Sequence, residues 1–141
     1  MESRALYLFT AVQAVAIAAI LWLVFSMPGP WDLQRSIGTA LMILGIAGIL
    51  TARFQLGKSF AIRAKARELV TQGIYSKIRN PIYVSGAVLL AGFVLVIHRP
   101  ILWLVLLALI IMQTLRARRE AKVLEAAFGD AYRDYRRKTW F

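Results

Sequence analysis

The chain has 141 residues, no cysteine and a formal net charge of +11. This length suggests one domain, and the lack of thiols excludes disulfides, cysteine nucleophiles and cysteine metal sites. Hydrophobic residues make up 60% of the chain, against about 45–50% in a soluble globular domain, and they are concentrated in long uncharged runs.

Four apolar runs are separated by polar or basic connections, and each predicts a membrane-spanning helix. They cover residues 5–26, 36–52, 80–97 and 100–115. A spanning helix needs about 20 apolar residues, with a range of about 17–25, so the first three fit and the fourth is short. A re-entrant hairpin is an alternative for the last two runs. We predict a single all-α domain, a polytopic membrane protein with four transmembrane helices and a retained first helix.

Basic residues are concentrated in two connections, the loop 53–79 and the tail 116–141. The positive-inside rule places both in the cytoplasm, and four spans then place the N-terminus there as well. Anionic lipid headgroups are the predicted partner of this charge. Nucleic-acid binding is not predicted, because the basic residues alternate with apolar runs instead of forming one patch. The predicted spans contain no Asp, Glu, Lys or Arg, which disfavours a proton-coupled transporter.

Local signals predict where the remaining helices begin and end. Residues 61–70 predict a short interfacial helix with a basic face. Asn80 and Pro81 predict the start of the third helix, because Asn is favoured at the N-cap and Pro at the first helical position. The fourth helix is expected to continue into the cytoplasm until Gly129 ends it, and residues 130–138 predict a further short helix.

Few residues in this chain have the chemistry of a catalytic group. The single histidine, His98, lies in the turn predicted on the far side of the membrane. A Ser-His-Asp or Cys-His nucleophilic site is therefore not predicted, nor is a metal site. Glu120 remains, just beyond the fourth apolar run and four residues after Arg116. An intrahelical ion pair between them is the purely structural alternative.

Two segments together resemble a known enzyme family. They read LVTQGIYSKIRNPIY at 69–83 and RREAKVLEAAFGDAYRDY at 118–135. Their order and spacing are similar to those in the small integral-membrane methyltransferases, which include the isoprenylcysteine carboxyl methyltransferases and the phospholipid N-methyltransferases. The resemblance covers about residues 53–138. This chain departs from the family pattern at Ile74, Asn80, Ser85 and Ala121, where the family more often has proline, histidine, glycine and a second glutamate.

The resemblance implies S-adenosylmethionine as the cofactor and an amphiphilic or lipid-like acceptor that enters from the bilayer. Carried onto this chain, the residues that it implies for the cofactor pocket are Gly73, Tyr75, Asn80, Tyr83, Glu120 and Tyr135. The implied catalytic residues are Glu120, Arg79 and Arg116. Glu120 would take a proton from an amine acceptor, whereas an arginine would hold a carboxylate acceptor.

The acceptor stays open among three chemical classes. A prenylcysteine-type carboxylate is our first expectation, and a phospholipid amine and a small thiol are the alternatives. A non-enzymatic membrane protein that binds anionic lipid or a partner protein is the alternative from another class. Local sequence also allows residues 79–81 to be only a helix cap and interfacial anchor.

Overall fold

The computed structural model describes residues 2–56 and 69–141, with side chains described from residue 11 onward in those ranges. The described chain is α-helical and contains no β-strand. Its elements are α1 (Glu2–Ser26), α2 (Leu33–Leu56), a 3-10 turn (Gly73–Ser76), α3 (Pro81–Ile97), α4 (Leu102–Phe128) and α5 (Asp130–Lys138). Each predicted apolar run therefore lies in a helix. The interfacial helix predicted at 61–70 lies outside the described residues, apart from residues 69 and 70, which are not helical.

The predicted helix boundaries around α3, α4 and α5 are confirmed. Asn80 occupies the N-cap of α3, and Pro81 is its first helical residue. Helix α4 runs for 27 residues and ends at Gly129, whose N–H donates to the carbonyl of Glu125 at 2.8 Å. Gly129 has φ +54° and ψ −123°, a backbone conformation that favours glycine. Helix α5 begins immediately afterwards, so the chain turns sharply there.

Helices α2 and α3 form the closest packed pair in the described chain and run antiparallel. A Cβ atom at Gly45 would lie 2.6 Å from the backbone nitrogen of Leu89, and one at Gly38 would lie 2.7 Å from the carbonyl oxygen of Gly92. Backbones approach this closely only where side chains are absent, and small residues at helix interfaces are typical of membrane proteins. This pairing fixes the end of α2 beside the start of α3.

Helix α2 begins before the predicted apolar run does, so that Arg35 lies inside the helix and is only 4% exposed. Asp32 caps the helix by accepting the backbone N–H of Arg35 at 2.7 Å. The Arg35 guanidinium donates to the carbonyls of Val24 (2.6 Å), Met27 (2.9 Å) and Gly29 (3.1 Å). These carbonyls lie at the end of α1, where intrahelical partners run out. The two terminal nitrogens of the arginine are therefore compensated by hydrogen bonds that sequence spacing did not anticipate, whereas its buried Nε has no partner.

Helix α1 packs on the other helices near its C-terminal end, where Val24 forms a buried cluster with Met42 and Val96. Apolar residues earlier in α1 are exposed: Val15 is 69% exposed and Trp22 is 71% exposed. Among the described residues, α2 is the one helix that is both long and apolar enough to cross a membrane. The described apolar part of α1 and helix α3 are shorter apolar helices.

Candidate functional site

The residues predicted for the site gather at one end of the helices, where α2 ends and α3 begins. A cavity of about 20 Å³ lies there between the segment before α3 and the two last helices. It is lined by Leu56, Leu69, Val70, Tyr75, Arg79, Asn80, Ala121, Leu124, Tyr132 and Tyr135. A space of this size accommodates about one water molecule. A ligand as large as a nucleoside therefore requires the lining of the cavity to rearrange.

The 3-10 turn that contains Tyr75 is hydrogen bonded to the end of α2. The N–H of Ile74 donates to the Gln55 side-chain oxygen at 2.6 Å. Gly73 has φ +60°, and a Cβ atom there would lie 2.7 Å from the Gln55 amide nitrogen. The predicted site residue Gly73 thus shapes the turn and does not line the cavity. Gln55 was not predicted, and no local pattern relates it to the turn.

Tyr75 and Tyr135 close the cavity from opposite sides and are joined directly. The Tyr135 hydroxyl donates to the backbone carbonyl of Tyr75 at 2.7 Å, in a buried hydrogen bond. Tyr75 is 2% exposed, and Tyr135 packs in a buried cluster with Tyr132 and Leu124. Helix α5 therefore forms one wall of the cavity, and the sequence resemblance had placed only Tyr135 of that helix in the pocket.

Arg79 and Asn80 lie on the wall of the cavity that precedes α3. The Nε atom of Arg79 is buried and has no hydrogen-bond partner. A buried donor without an acceptor costs about 1–3 kcal/mol, which makes it a natural partner for an anionic ligand group. Asn80 stands at the N-cap position, but its side chain makes no capping hydrogen bond. The Arg79 Nε and the Asn80 side chain thus have hydrogen-bonding capacity that the described helix start does not use.

Tyr83, Glu120 and Arg116 form a hydrogen-bonded group beside the cavity without lining it. The Tyr83 hydroxyl donates to Glu120 Oε1 at 2.7 Å, and Arg116 Nε lies 3.3 Å from the same oxygen. The intrahelical pair expected from spacing is therefore present, and with the Arg116 side chain 73% exposed it contributes about 0.3–0.5 kcal/mol. The hydrogen bond from Tyr83 to Glu120 says more about the site, because it directly joins the two segments that resemble the methyltransferase family.

The last residues of the chain pair with the segment before α3 through their backbones. The N–H of Trp140 donates to the Lys77 carbonyl at 2.7 Å. In return, the N–H of Arg79 donates to the carbonyl of Trp140 at 3.0 Å, and that of Asn80 donates to the carbonyl of Phe141 at 2.9 Å. We call residues 139–141 the C-terminal strap. The sequence offered no signal for this pairing.

His98 lies at the opposite end of α3 from the cavity, as the sequence predicted. It occupies the C-cap of α3 with φ +56°, and its Nε2 lies 3.1 Å from the Asp32 carboxylate. Hydrogen bonding to the Val96 carbonyl, and then to Asp32, raises the pKa of His98 above its usual value. The pKa of Asp32 is lowered, chiefly by the backbone N–H of Arg35. This pair connects the far ends of α2 and α3 and takes no part in the candidate site.

Comparison with known families agrees with the resemblance of the two segments. The family model described as Phospholipid methyltransferase matches residues 33–131. No curated protein and no solved structure matches the chain significantly. The matched region includes Tyr83 and Glu120 and ends before Tyr135 and the C-terminal strap. Since this match covers most of the chain, the chain belongs to the phospholipid methyltransferase family.

Proposed function

We propose that the protein is an integral-membrane methyltransferase that moves a methyl group from S-adenosylmethionine to an amphiphilic acceptor. Family membership supports methyl transfer. The observation that carries the proposal to this site is the 2.7 Å hydrogen bond between Tyr83 and Glu120. It joins residues that are 37 positions apart, one from each of the two segments that resemble the cofactor-site segments of the family.

We further propose a multi-pass topology with four spans and both termini in the cytoplasm. Large apolar side chains are exposed along the helices, including Val15 (69%), Leu44 (63%), Leu104 (62%) and Met112 (64%). So many exposed large apolar side chains are unusual on a soluble monomer and suit contact with lipid chains. The basic last turn of α5, residues 136–138, supports a cytoplasmic face near anionic headgroups.

The residues around the cavity suit the groups of S-adenosylmethionine, which carries a carboxylate, an ammonium and an aromatic base. The unpartnered Arg79 Nε would bind the carboxylate. The Glu120 carboxylate would bind the ammonium, and the buried rings of Tyr75 and Tyr135 would pack against the base. When bound, the cofactor supplies an electrophilic methyl group on a sulfonium. Asn80, with its free amide, would complete the polar contacts.

Methyl transfer of this kind depends on alignment of the reacting groups and on exclusion of water more than on proton transfer. The buried tyrosines of the cavity provide that exclusion. This chemistry suits a site to which the single histidine of the chain, at the other end of α3, does not contribute.

A prenylcysteine-type carboxylate is our first choice of acceptor. Such a group is ionised at neutral pH and needs no general base, but it needs a cation to hold it. Arg116 lies where the apolar run of α4 ends, and its side chain is 73% exposed, so a headgroup arriving from the bilayer can reach it. Arg79, on the cavity wall, is the second candidate for this role.

A phospholipid amine is the second candidate acceptor, and the description of the matching family favours it. An amine must lose a proton before or during methyl transfer, and Glu120 is the available carboxylate. The Tyr83 hydroxyl fixes one oxygen of that carboxylate. A general base in this position would contribute about 10²–10⁴-fold to the rate.

The test combines cofactor binding with product chemistry. Purified protein in detergent and in lipid is titrated with S-adenosylmethionine by calorimetry. It is then incubated with methyl-labelled cofactor and a prenylcysteine analogue, phosphatidylethanolamine vesicles or a small thiol. Mild base releases the label from a methyl ester and leaves N-methyl and S-methyl products intact. Label released as volatile methanol supports the carboxylate, and label that stays non-volatile on the phosphatidylethanolamine headgroup supports the amine.

Glu120→Gln is the diagnostic variant, and Glu125→Gln is its matched control. Glu125 lies on the same helix and pairs with Arg133 at 2.9 Å, away from the cavity. We expect Glu120→Gln to lower turnover by about 10²-fold or more with an amine acceptor, where Glu120 is the base. With a carboxylate acceptor its main effect is on cofactor affinity. Folded wild-type protein that neither binds the cofactor nor labels any acceptor would contradict the proposal and favour a lipid-binding scaffold.

A further inference from the structure

The backbone of the C-terminal strap pairs with the two residues that contribute the free polar side chains of the cavity. The N–H groups of Arg79 and Asn80 both donate to strap carbonyls, at 3.0 and 2.9 Å. These N–H groups directly precede Pro81, which has no N–H of its own. The strap therefore fixes the backbone from which Arg79 and Asn80 project.

The strap also links the two opposite walls of the cavity. It follows α5 directly, and α5 contributes Tyr132 and Tyr135 to one wall. The strap then crosses to pair with the wall that contains Arg79 and Asn80. The buried hydrogen bond from Tyr135 to the Tyr75 carbonyl makes a second connection between the same walls. These bonds join the two walls of the cavity.

We propose that the C-terminal strap is a positioning element for cofactor binding: its backbone holds Arg79 and Asn80 in the cofactor cavity. This inference rests on the proposed function. A cavity of about 20 Å³ is too small for a nucleoside-sized molecule, so side chains of the lining must move when the cofactor enters. The strap bonds stay formed during this movement and keep the backbone of Arg79 and Asn80 in place beside the bound molecule.

At Trp140 the contribution comes from the backbone and not from the side chain. The Trp140 side chain is 65% exposed, whereas its N–H and carbonyl are both hydrogen bonded. The strap also lies beyond residue 131, where the family match ends. The role therefore belongs to residues of this chain that the family model does not cover.

Two substitutions at one position separate backbone from side chain. Trp140→Ala removes the exposed ring and keeps both backbone bonds. Trp140→Pro also removes the N–H that donates to Lys77 at 2.7 Å. The preceding residue, Thr139, has φ −124° and ψ +149°, which is the conformation that a following proline favours. The conformation of Thr139 is therefore compatible with a following proline.

The readouts are cofactor affinity by calorimetry and steady-state kinetics with the acceptor that the labelling assay identifies. One lost hydrogen bond predicts that Trp140→Pro raises the Kd and KM for S-adenosylmethionine about 3- to 10-fold, with kcat at saturating cofactor within about twofold. Trp140→Ala should match the wild type in both. Unchanged affinity in Trp140→Pro, or an equal loss in the two variants, would overturn the proposal. A folded wild type that binds no cofactor would instead overturn the proposed function, and this inference with it.

Amide hydrogen exchange on the wild type provides a second test that needs no variant to fold. The amides of Arg79, Asn80 and Trp140 are expected to be protected, and added S-adenosylmethionine is expected to protect them further. The Trp31 amide, at the far end of the helices from the cavity, serves as the reference and should not respond. Exchange of these three amides at the rate of unstructured peptide with cofactor bound would refute the role of the strap.

Discussion

Replacing Gly45 with alanine tests the close approach of α2 and α3 that places the candidate site. The added Cβ would lie 2.6 Å from the backbone nitrogen of Leu89 and 2.7 Å from its Cα, whereas ordinary van der Waals contact begins at 3.4 Å. The atoms in the way belong mainly to backbone, so no side-chain rotation relieves the overlap. The two helices must move apart, and we expect the protein to be less stable.

The magnitude follows from two opposing effects. Alanine is favoured over glycine in a helix by about 1 kcal/mol. Overpacking a well-packed interface costs about 1–3 kcal/mol. Gly86→Ala is the matched control, because Gly86 lies in α3 and a Cβ there meets nothing within 4 Å. Gly86→Ala gains the helix propensity of alanine without a steric overlap. Gly45→Ala should therefore be about 1–3 kcal/mol less stable than Gly86→Ala.

Reversible unfolding in mixed micelles measures this difference. The four tryptophans of the chain provide a fluorescence signal, and far-ultraviolet circular dichroism provides a second one. Comparison of the two alanine variants cancels the change in helix propensity and leaves the interhelical contact. If Gly45→Ala proves as stable as Gly86→Ala, the helices do not approach as closely as the structure has them, and the argument that α2 fixes the start of α3 fails.

Two further predictions concern the ends of the helices. Gly73→Ala should weaken S-adenosylmethionine binding by about tenfold or more, because the new methyl group meets the Gln55 amide in a turn with φ +60°. Calorimetry measures the change in affinity. Unchanged affinity would show that the turn is unimportant for the site. The single histidine, His98, should titrate above 6.5 by NMR, because the Val96 carbonyl and then Asp32 stabilise its protonated form, and Asp32→Asn should lower that pKa. The contribution of this pair to stability is then present below the usual histidine pKa and is lost as the pH rises through the raised one. At low pH the same contribution to stability is lost as the pH falls through the lowered pKa of Asp32. A His98 pKa at or below 6.5 would refute the pairing of His98 with Asp32.

The sequence by itself determined the helical elements and most of their ends. Long apolar runs, an Asn-Pro pair and a single glycine at 129 act through nearest neighbours along the chain, and the structure has helices and boundaries there. The pair between Arg116 and Glu120 was equally predictable, because residues four apart on a helix are neighbours. Helix α2 begins at Leu33, before the predicted apolar run, and the sequence did not show that carbonyls of another segment would compensate Arg35 there.

Only the tertiary structure decided which residues meet around the cavity. Tyr83 reaches Glu120 across 37 residues, and Tyr135 reaches the carbonyl of Tyr75 across 60. Gln55 and the strap residue Trp140 contact the same region from outside both resembling segments. Such contacts depend on the approach of α2 to α3 and on the turn before α5. Local patterns carry the period and ends of a helix, but they do not encode the distance between two helices, and that distance is what assembles the site.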